Sequence, residues 1–427
     1  MTYRDVASPQ VLVWACTSVG ARMPVAMAPL ALVFLVRERP GGYALGAVLA
    51  AAYVIGEIVG APVLGMRLPP ERPRPQLAAG LATGALGFAG LGLLPDAPSL
   101  VLGAFALLAG AAPAAATGGL RALLTELVPE RAVAQALSTE SMLNSVIWAV
   151  SPAAVAGLAL QVAPHVPLLL AAALMAASVA GLWLLPAGWT VDDSAGGAWS
   201  GGSLPRLLLG AWPVYVMGAA SLSLLGLAEL VLPALLEQRG IRVGWSGPLL
   251  TGLAVGGGLG AFLYGLRTWP GLLRTRSVVL MCGTSVCVTL IAVIPNTAGI
   301  ASALAVGGLL QSGALVTRNL ALRDALPPGA LAAGYSVMYA AAGAGYAATG
   351  SLAGVLLKVT VPSTAVLAGV ALTLALTAVG WWGEVRRAGS SALGADAVVV
   401  PGRVVEGPAP GAEGAPIGGR CDAEGRL

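Results

Sequence analysis

The sequence predicts an all-α integral membrane protein with twelve transmembrane helices arranged as two six-helix repeats. Three observations carry this expectation. Twelve apolar stretches fill residues 11 to 383 with few charges between them, and roughly 20 apolar residues suffice for a helix to cross a hydrocarbon core about 30 Å thick. Hydrophobic residues make up 57% of the chain and charged residues 10%, with a mean hydropathy of +0.85, outside the range of soluble domains. The chain also repeats itself. Shifted by 198 residues, Glu126-Leu127-Val128-Pro129 lies over Asp324-Ala325-Leu326-Pro327, Ala132 over Ala330 and Ser138 over Ser336. Shifted by 200, Gly65-Met66-Arg67 lies over Gly265-Leu266-Arg267.

After a short N-terminus (1–10), the first span, 11–36, holds Arg22 in its interior with Thr17 and Ser18 before it. Pro24 and Pro29 remove backbone donors there and predict kinks. The second, 44–66, carries Glu57 between the small residues Gly56 and Gly60, a spacing that lets helices approach closely. The third, 75–95, is unbroken apolar sequence; the fourth, 98–121, is kinked by Pro113; the fifth, 133–160, carries Glu140 near its start and Pro152 farther on; the sixth is 165–185. Residues 186–206 read as a flexible polar linker around Asp192-Asp193-Ser194-Ala195-Gly196-Gly197.

The second half follows with spans 207–235, carrying Glu229, and 244–266, with Gly252, Gly256 and Gly260 in overlapping GxxxG steps. Then come 275–295, 298–320, 330–357 and 362–383. Tyr335, Tyr339 and Tyr346 recur at helical spacing on one face of the eleventh span, suited either to a cavity wall or to packing. The bundles are therefore 11–185 and 207–383, followed by a Gly, Ala and Pro-rich tail, 384–427, expected to be disordered.

An even number of spans puts both termini on one side. That side carries fourteen arginines (4, 67, 72, 74, 121, 131, 206, 267, 274, 276, 318, 323, 386 and 387) against five basic residues opposite, Arg37, Arg39, Arg239, Arg242 and Lys358. The positive-inside rule makes both termini cytoplasmic in a multi-pass plasma-membrane protein. The first apolar run is too long for a cleavable signal peptide. Cys16, Cys282 and Cys287 fall in spans and Cys421 in the tail, which makes a disulfide unexpected. The net charge of +4 reflects topology and anionic lipid contact, not nucleic-acid binding.

Gly20 to Val36 (GARMPVAMAPLALVFLV), the loop from Gly60 (GAPVLGMRLPPERPRP), and the stretches LAELVLPALLEQRG from Leu227 and GLAVGGGLGAFLYGLR from Gly252 resemble permeases of the major facilitator superfamily. Within it they resemble the drug or metabolite efflux type common in high-GC actinomycetes. The resemblance spans residues 11 to 383 and implies two parallel six-helix repeats, a midplane cavity and no cofactor. It implies a small-molecule substrate, protons as the coupling ion and a monomer in the lipid bilayer. The family's loop motif of one acid and several bases, a cytoplasmic gating device, is represented by Gly65, Arg67, Glu71 and Arg72, among Pro69, Pro70, Pro73 and Pro75 in place of its glycine. Glu126 and Asp324, each followed by proline three residues on, stand at the corresponding ends of spans four and ten. The fifth-span antiporter motif is cut down to Ser151-Pro152 and Gly157. The arginine usually found midway along span four is absent, with Ala106 or a neighbour in its place.

Intramembrane charge marks the candidate cavity. A cation near the midplane costs several kcal/mol unless it meets an acid or water, and Arg22 has Glu57 and Glu140 at similar or shallower depth. Arg22 is therefore either half of a structural ion pair or a cavity residue for an anionic substrate group, with Ser18 on its face at i−4. Tyr335 and Tyr339 complete the candidate set. A single histidine, His165, excludes a histidine-based metal or nucleophile cluster, and no phosphate-binding loop supports an ATP-driven pump. The chain is expected to export a small amphipathic compound; uptake of a sugar, amino acid or organic anion is the alternative, and a membrane-embedded enzyme or sensor a distant one.

Overall fold

The computed structural model describes residues 6–39, 42–68, 73–185 and 204–396, with side chains as far as residue 387. Its helices are α1 (Pro9–Val36), α2 (Gly42–Met66), α3 (Pro73–Leu93), α4 (Ser99–Ala111), α5 (Ala114–Glu126), α6 (Val133–Gln161) and α7 (Val166–Leu184). The second half comprises α8 (Leu204–Gly210), α9 (Trp212–Gln238), α10 (Ser246–Leu266), α11 (Leu273–Val293), α12 (Thr297–Ala325), α13 (Leu331–Val359) and α14 (Pro362–Asp396). Among the described residues, twelve segments are long and apolar enough to span a membrane, α4 and α5 together forming the fourth and α8 standing outside the count.

Local sequence sets the ends. Ser8 accepts from the Val11 amide at 3.2 Å ahead of Pro9, and Asn296 accepts from the Gly299 amide at 2.7 Å. The Pro113 kink is sharp enough to divide span four: the α5 side restarts with Ala116 N donating to Pro113 O at 2.8 Å. The repeat is visible in the backbone. Single 3-10 turns, Glu130–Ala132 and Pro328–Ala330, precede α6 and α13, which are both 29 residues long and lie 198 residues apart.

One core cluster fills the first six spans, with Trp14, Met27, Tyr53 and Phe88 at 1% exposure or less; another fills the last six around Leu224, Leu235, Leu249 and Leu304. Large apolar residues such as Val48, Ile55, Leu86, Leu100, Leu160 and Val279 face outward, as a lipid-facing surface requires.

Gly56 and Gly60 admit the α4 backbone at Leu107 and Ala111, and Gly256 and Gly260 admit α12 at Ala305 and Leu309. The GxxxG steps therefore pack helices within a half, and Gly252 meets nothing within 4 Å. Trp14 is fully buried and donates its indole N–H to Leu120 O at 2.6 Å. The tail does not begin at 384: α14 continues to Asp396, with no proline between 384 and 396 to break it. Residues 397–427, and linker residues 186–203, lie outside the described residues.

Candidate functional site

Where the halves meet, α13 is the shared element: it packs on α9 in its own half and on α2 and α5 in the other, while α6 packs on α10. α1 and α9 form no packed pair. Ser336, 1% exposed, sits between Gly65 of α2 and Gly118 of α5. A Cβ on Gly118 would lie 2.7 Å from Ser336 N and 2.8 Å from Ala332 O, so only glycine permits this approach. Farther along α13, Tyr339 donates to Glu57 of α2 at 2.6 Å and Gly343 faces Ile58. These contacts lie in the first half of α13, toward the end of the bundle that carries Pro9. At that end Arg323 of α12 pairs with Glu130 at 3.2 Å, an ion pair between the halves.

Just inside this seam lies a charge cluster. Glu140 of α6, 2% exposed, accepts from Arg22 Nη2 of α1 at 2.5 Å, and from Arg121 Nε of α5 at 2.7 and 2.8 Å through its two oxygens. Arg22 also reaches Thr117 O at 3.5 Å, while its Nε and Nη1 are buried without a hydrogen-bond partner. The Arg121 guanidinium stacks over Tyr335 at 5.4 Å, and the Tyr335 hydroxyl donates to Asn319 O at 3.2 Å. A cavity of about 110 Å³ opens beside the cluster, lined on the polar side by Arg121, Glu140, Ser141, Asn144, Arg318 and Asn319. That space holds several waters or a small polar group.

Of the two acids offered as partners for Arg22, the structure selects Glu140; Glu57 pairs with Tyr339. Each tyrosine of the α13 face meets a polar partner: Tyr335 with Arg121 and Asn319, Tyr339 with Glu57, and Tyr346 with Glu229 at 3.2 Å. Only Tyr339 of the three lines the cavity. Ser18 is fully buried, its hydroxyl has no hydrogen-bond partner, and it stands away from the cavity lining.

Of the residues expected to gate, Gly65 is in the seam. Arg67, Glu126 and Asp324 are exposed at helix ends and form none of the ion pairs found among the described residues. Glu71 and Arg72 lie outside the described residues. The cross-half ion pair is made instead by Glu130 and Arg323, because α12 carries Arg323 across to the turn before α6.

Two site residues escape the sequence reading. Spans four and ten continue past 121 and 320 to Glu126 and Ala325. Arg121 and Arg318, counted among the cytoplasmic-side charges at the ends of those spans, therefore lie five and seven residues inside their helices, about 8 and 10 Å at 1.5 Å per residue. Span four thus carries Arg121 in its second helix, α5, while its midway stretch around Ala106 has no arginine. The apolar Ala122-Leu123-Leu124 after Arg121 and Leu320-Ala321-Leu322 after Arg318 were the available signal.

No family model matches the chain, and no curated relative does. Solved structures do. One is a major facilitator superfamily transporter, the fucose transporter FucP in the outward conformation: 16% identity over 88% of this chain and 99% of that one, TM-score 0.67. The chain has the major facilitator fold. A bacterial homologue of the iron transporter ferroportin, outward-facing, shares that fold at 17% identity over 87% of this chain and 98% of that one, TM-score 0.70. So does the human organic anion transporter TETRAN, at 14% identity over 87% and 98%, TM-score 0.68. The seam and the cavity draw residues from both six-helix halves, and the charge cluster of α1, α5 and α6 belongs to the first.

Proposed function

We propose that the chain is a secondary active transporter that exports a small amphipathic compound by alternating access, driven by the proton-motive force. The carrying observation is the charge-lined cavity between two halves that close over it through Gly65, Gly118 and Ser336. The arginine distribution makes the Pro9 end cytoplasmic, so this arrangement is closed to the cytoplasm. The similar structures, which include an E. coli fucose:proton symporter, support transport and proton coupling. Export itself is supported by the resemblance of the loop and span motifs to efflux permeases.

Glu57 is the coupling carboxylate in this reading. It stands on one half and its hydrogen-bond donor, Tyr339, on the other. Parting the halves at the cytoplasmic end breaks the bond and leaves the carboxyl to exchange its proton with the cavity. Glu57→Gln keeps a hydrogen-bond acceptor for Tyr339 but no titratable group. It is expected to abolish gradient-driven transport, by tenfold or more as an order of magnitude, while sparing substrate exchange without a gradient, read in proteoliposomes.

The proposal is tested with inverted vesicles and a panel of dyes, antibiotics and aromatic metabolites, with and without a protonophore. Protonophore-sensitive accumulation in the lumen is the expected result. The proton symporter among the similar structures favours uptake as the second reading; inward, gradient-driven accumulation of a radiolabelled compound by whole cells would replace export with it.

A further inference from the structure

Arg318 of α12 is 2% exposed, and neither of its terminal nitrogens has a hydrogen-bond partner. Glu384 of α14 acts on it electrostatically. On its other side Arg318 lines the cavity, together with Asn144 and Asn319. The carboxylate on that cavity wall, Glu140, is already taken by Arg22 and Arg121. A buried guanidinium with open donors is costly unless an anion or water meets it, and a planar fork of donors suits the oxygens of a carboxylate, phosphate or sulfonate. Leu222, Leu315 and Met338 supply an apolar wall to the same cavity, which suits a body of hydrocarbon or aromatic character beyond the charged head.

We infer that Arg318 anchors the anionic group of the substrate, so that the compound carried is an amphipathic organic anion. This rests on the transport reading above and names the substrate class for its cavity. Asn144, from the other half, reaches the same space as Arg318 and Asn319. A head group held there touches both halves, and its binding favours the arrangement in which they are together.

The test is thermal unfolding of the full-length protein in detergent with benzoate, phenyl phosphate and benzenesulfonate, against benzamide and benzylammonium as neutral and cationic controls of the same size. At least one anion is expected to raise the midpoint by about 2 °C or more near saturation, with neither control doing so. Arg318→Gln should erase the shift and Arg318→Lys retain part of it. Should Arg318→Gln fail to fold, Asn319→Asp serves instead: a carboxylate placed beside Arg318 occupies it, and the anion response should vanish. Absence of stabilisation by all three anions, an equal response to benzylammonium, or a shift that survives both Arg318→Gln and Asn319→Asp would overturn the assignment. The assay uses no gradient. A charge-blind response with protonophore-sensitive efflux intact therefore sinks the anion site alone, whereas anion binding without any gradient-driven movement sinks the transport reading alone.

Discussion

Leucine at position 118 is expected to stop transport while leaving the protein folded. Gly118 lets the α5 backbone lie against α13, where a Cβ would come within 2.7 Å of Ser336 N and 2.8 Å of Ala332 O. Both are main-chain atoms and cannot swing aside. Overpacking costs about 1–3 kcal/mol, and here the cost falls on the cytoplasm-closed state alone, because the other state parts these helices. A bias of that size shifts a two-state population by about 5- to 150-fold. The variant should be held open to the cytoplasm, with transport reduced at least about tenfold and a near-normal unfolding midpoint. A cysteine replacing Ser141, on the cavity wall, should then react with an impermeant maleimide added to inverted vesicles. Normal transport by Gly118→Leu would show that this contact does not have to form in the cycle.

Glu140→Gln is expected to be the most destabilising single charge removal in the chain. Glu140 is 2% exposed and receives charge-assisted hydrogen bonds from Arg22 and Arg121. Neutralising it leaves two cations buried without an acid, a change that costs about 3–5 kcal/mol in comparable buried pairs. Expression and thermal stability should both fall. Arg22→Gln should cost less, since Arg121 still holds both Glu140 oxygens, and the double variant should recover part of the loss of Glu140→Gln. If Arg22→Gln and Glu140→Gln were additive, the two side chains would not be coupled. The geometry favours the locking role for Arg22 over the substrate-binding one, and it leaves Arg318 as the guanidinium with open terminal donors on the cavity wall.

The twelve spans were legible because a bilayer imposes length and apolarity on each crossing, and the repeat because matching turns such as Glu130–Ala132 and Pro328–Ala330 recur 198 residues apart. The pair Arg22 and Glu140 was legible as one of two choices, since burial demands a counter-charge but composition does not say which. Glu57 resolves to Tyr339, a partner 282 residues away, and no local pattern carries that information. Arg121 and Arg318 were hidden for a different reason. An apolar window stops at a charge, so a cation inside a helix end reads as the edge of the membrane even where the helix continues to Glu126 or Ala325. The cost of glycine in a helix is similar everywhere, so the sequence does not distinguish Gly118, which admits another backbone across the seam, from Gly252, which faces open space.

In the proposed cycle the two halves part and rejoin at the cytoplasmic end. The most direct measurement is the distance between spin labels at positions 130 and 323, the residues of the cross-half ion pair, in a background without the native cysteines. Two populations are predicted, a short one matching the closed seam and a longer one, exchanging weight between acidic and alkaline buffer and after Glu57→Gln. A single short distance under all these conditions would contradict alternating access at this seam.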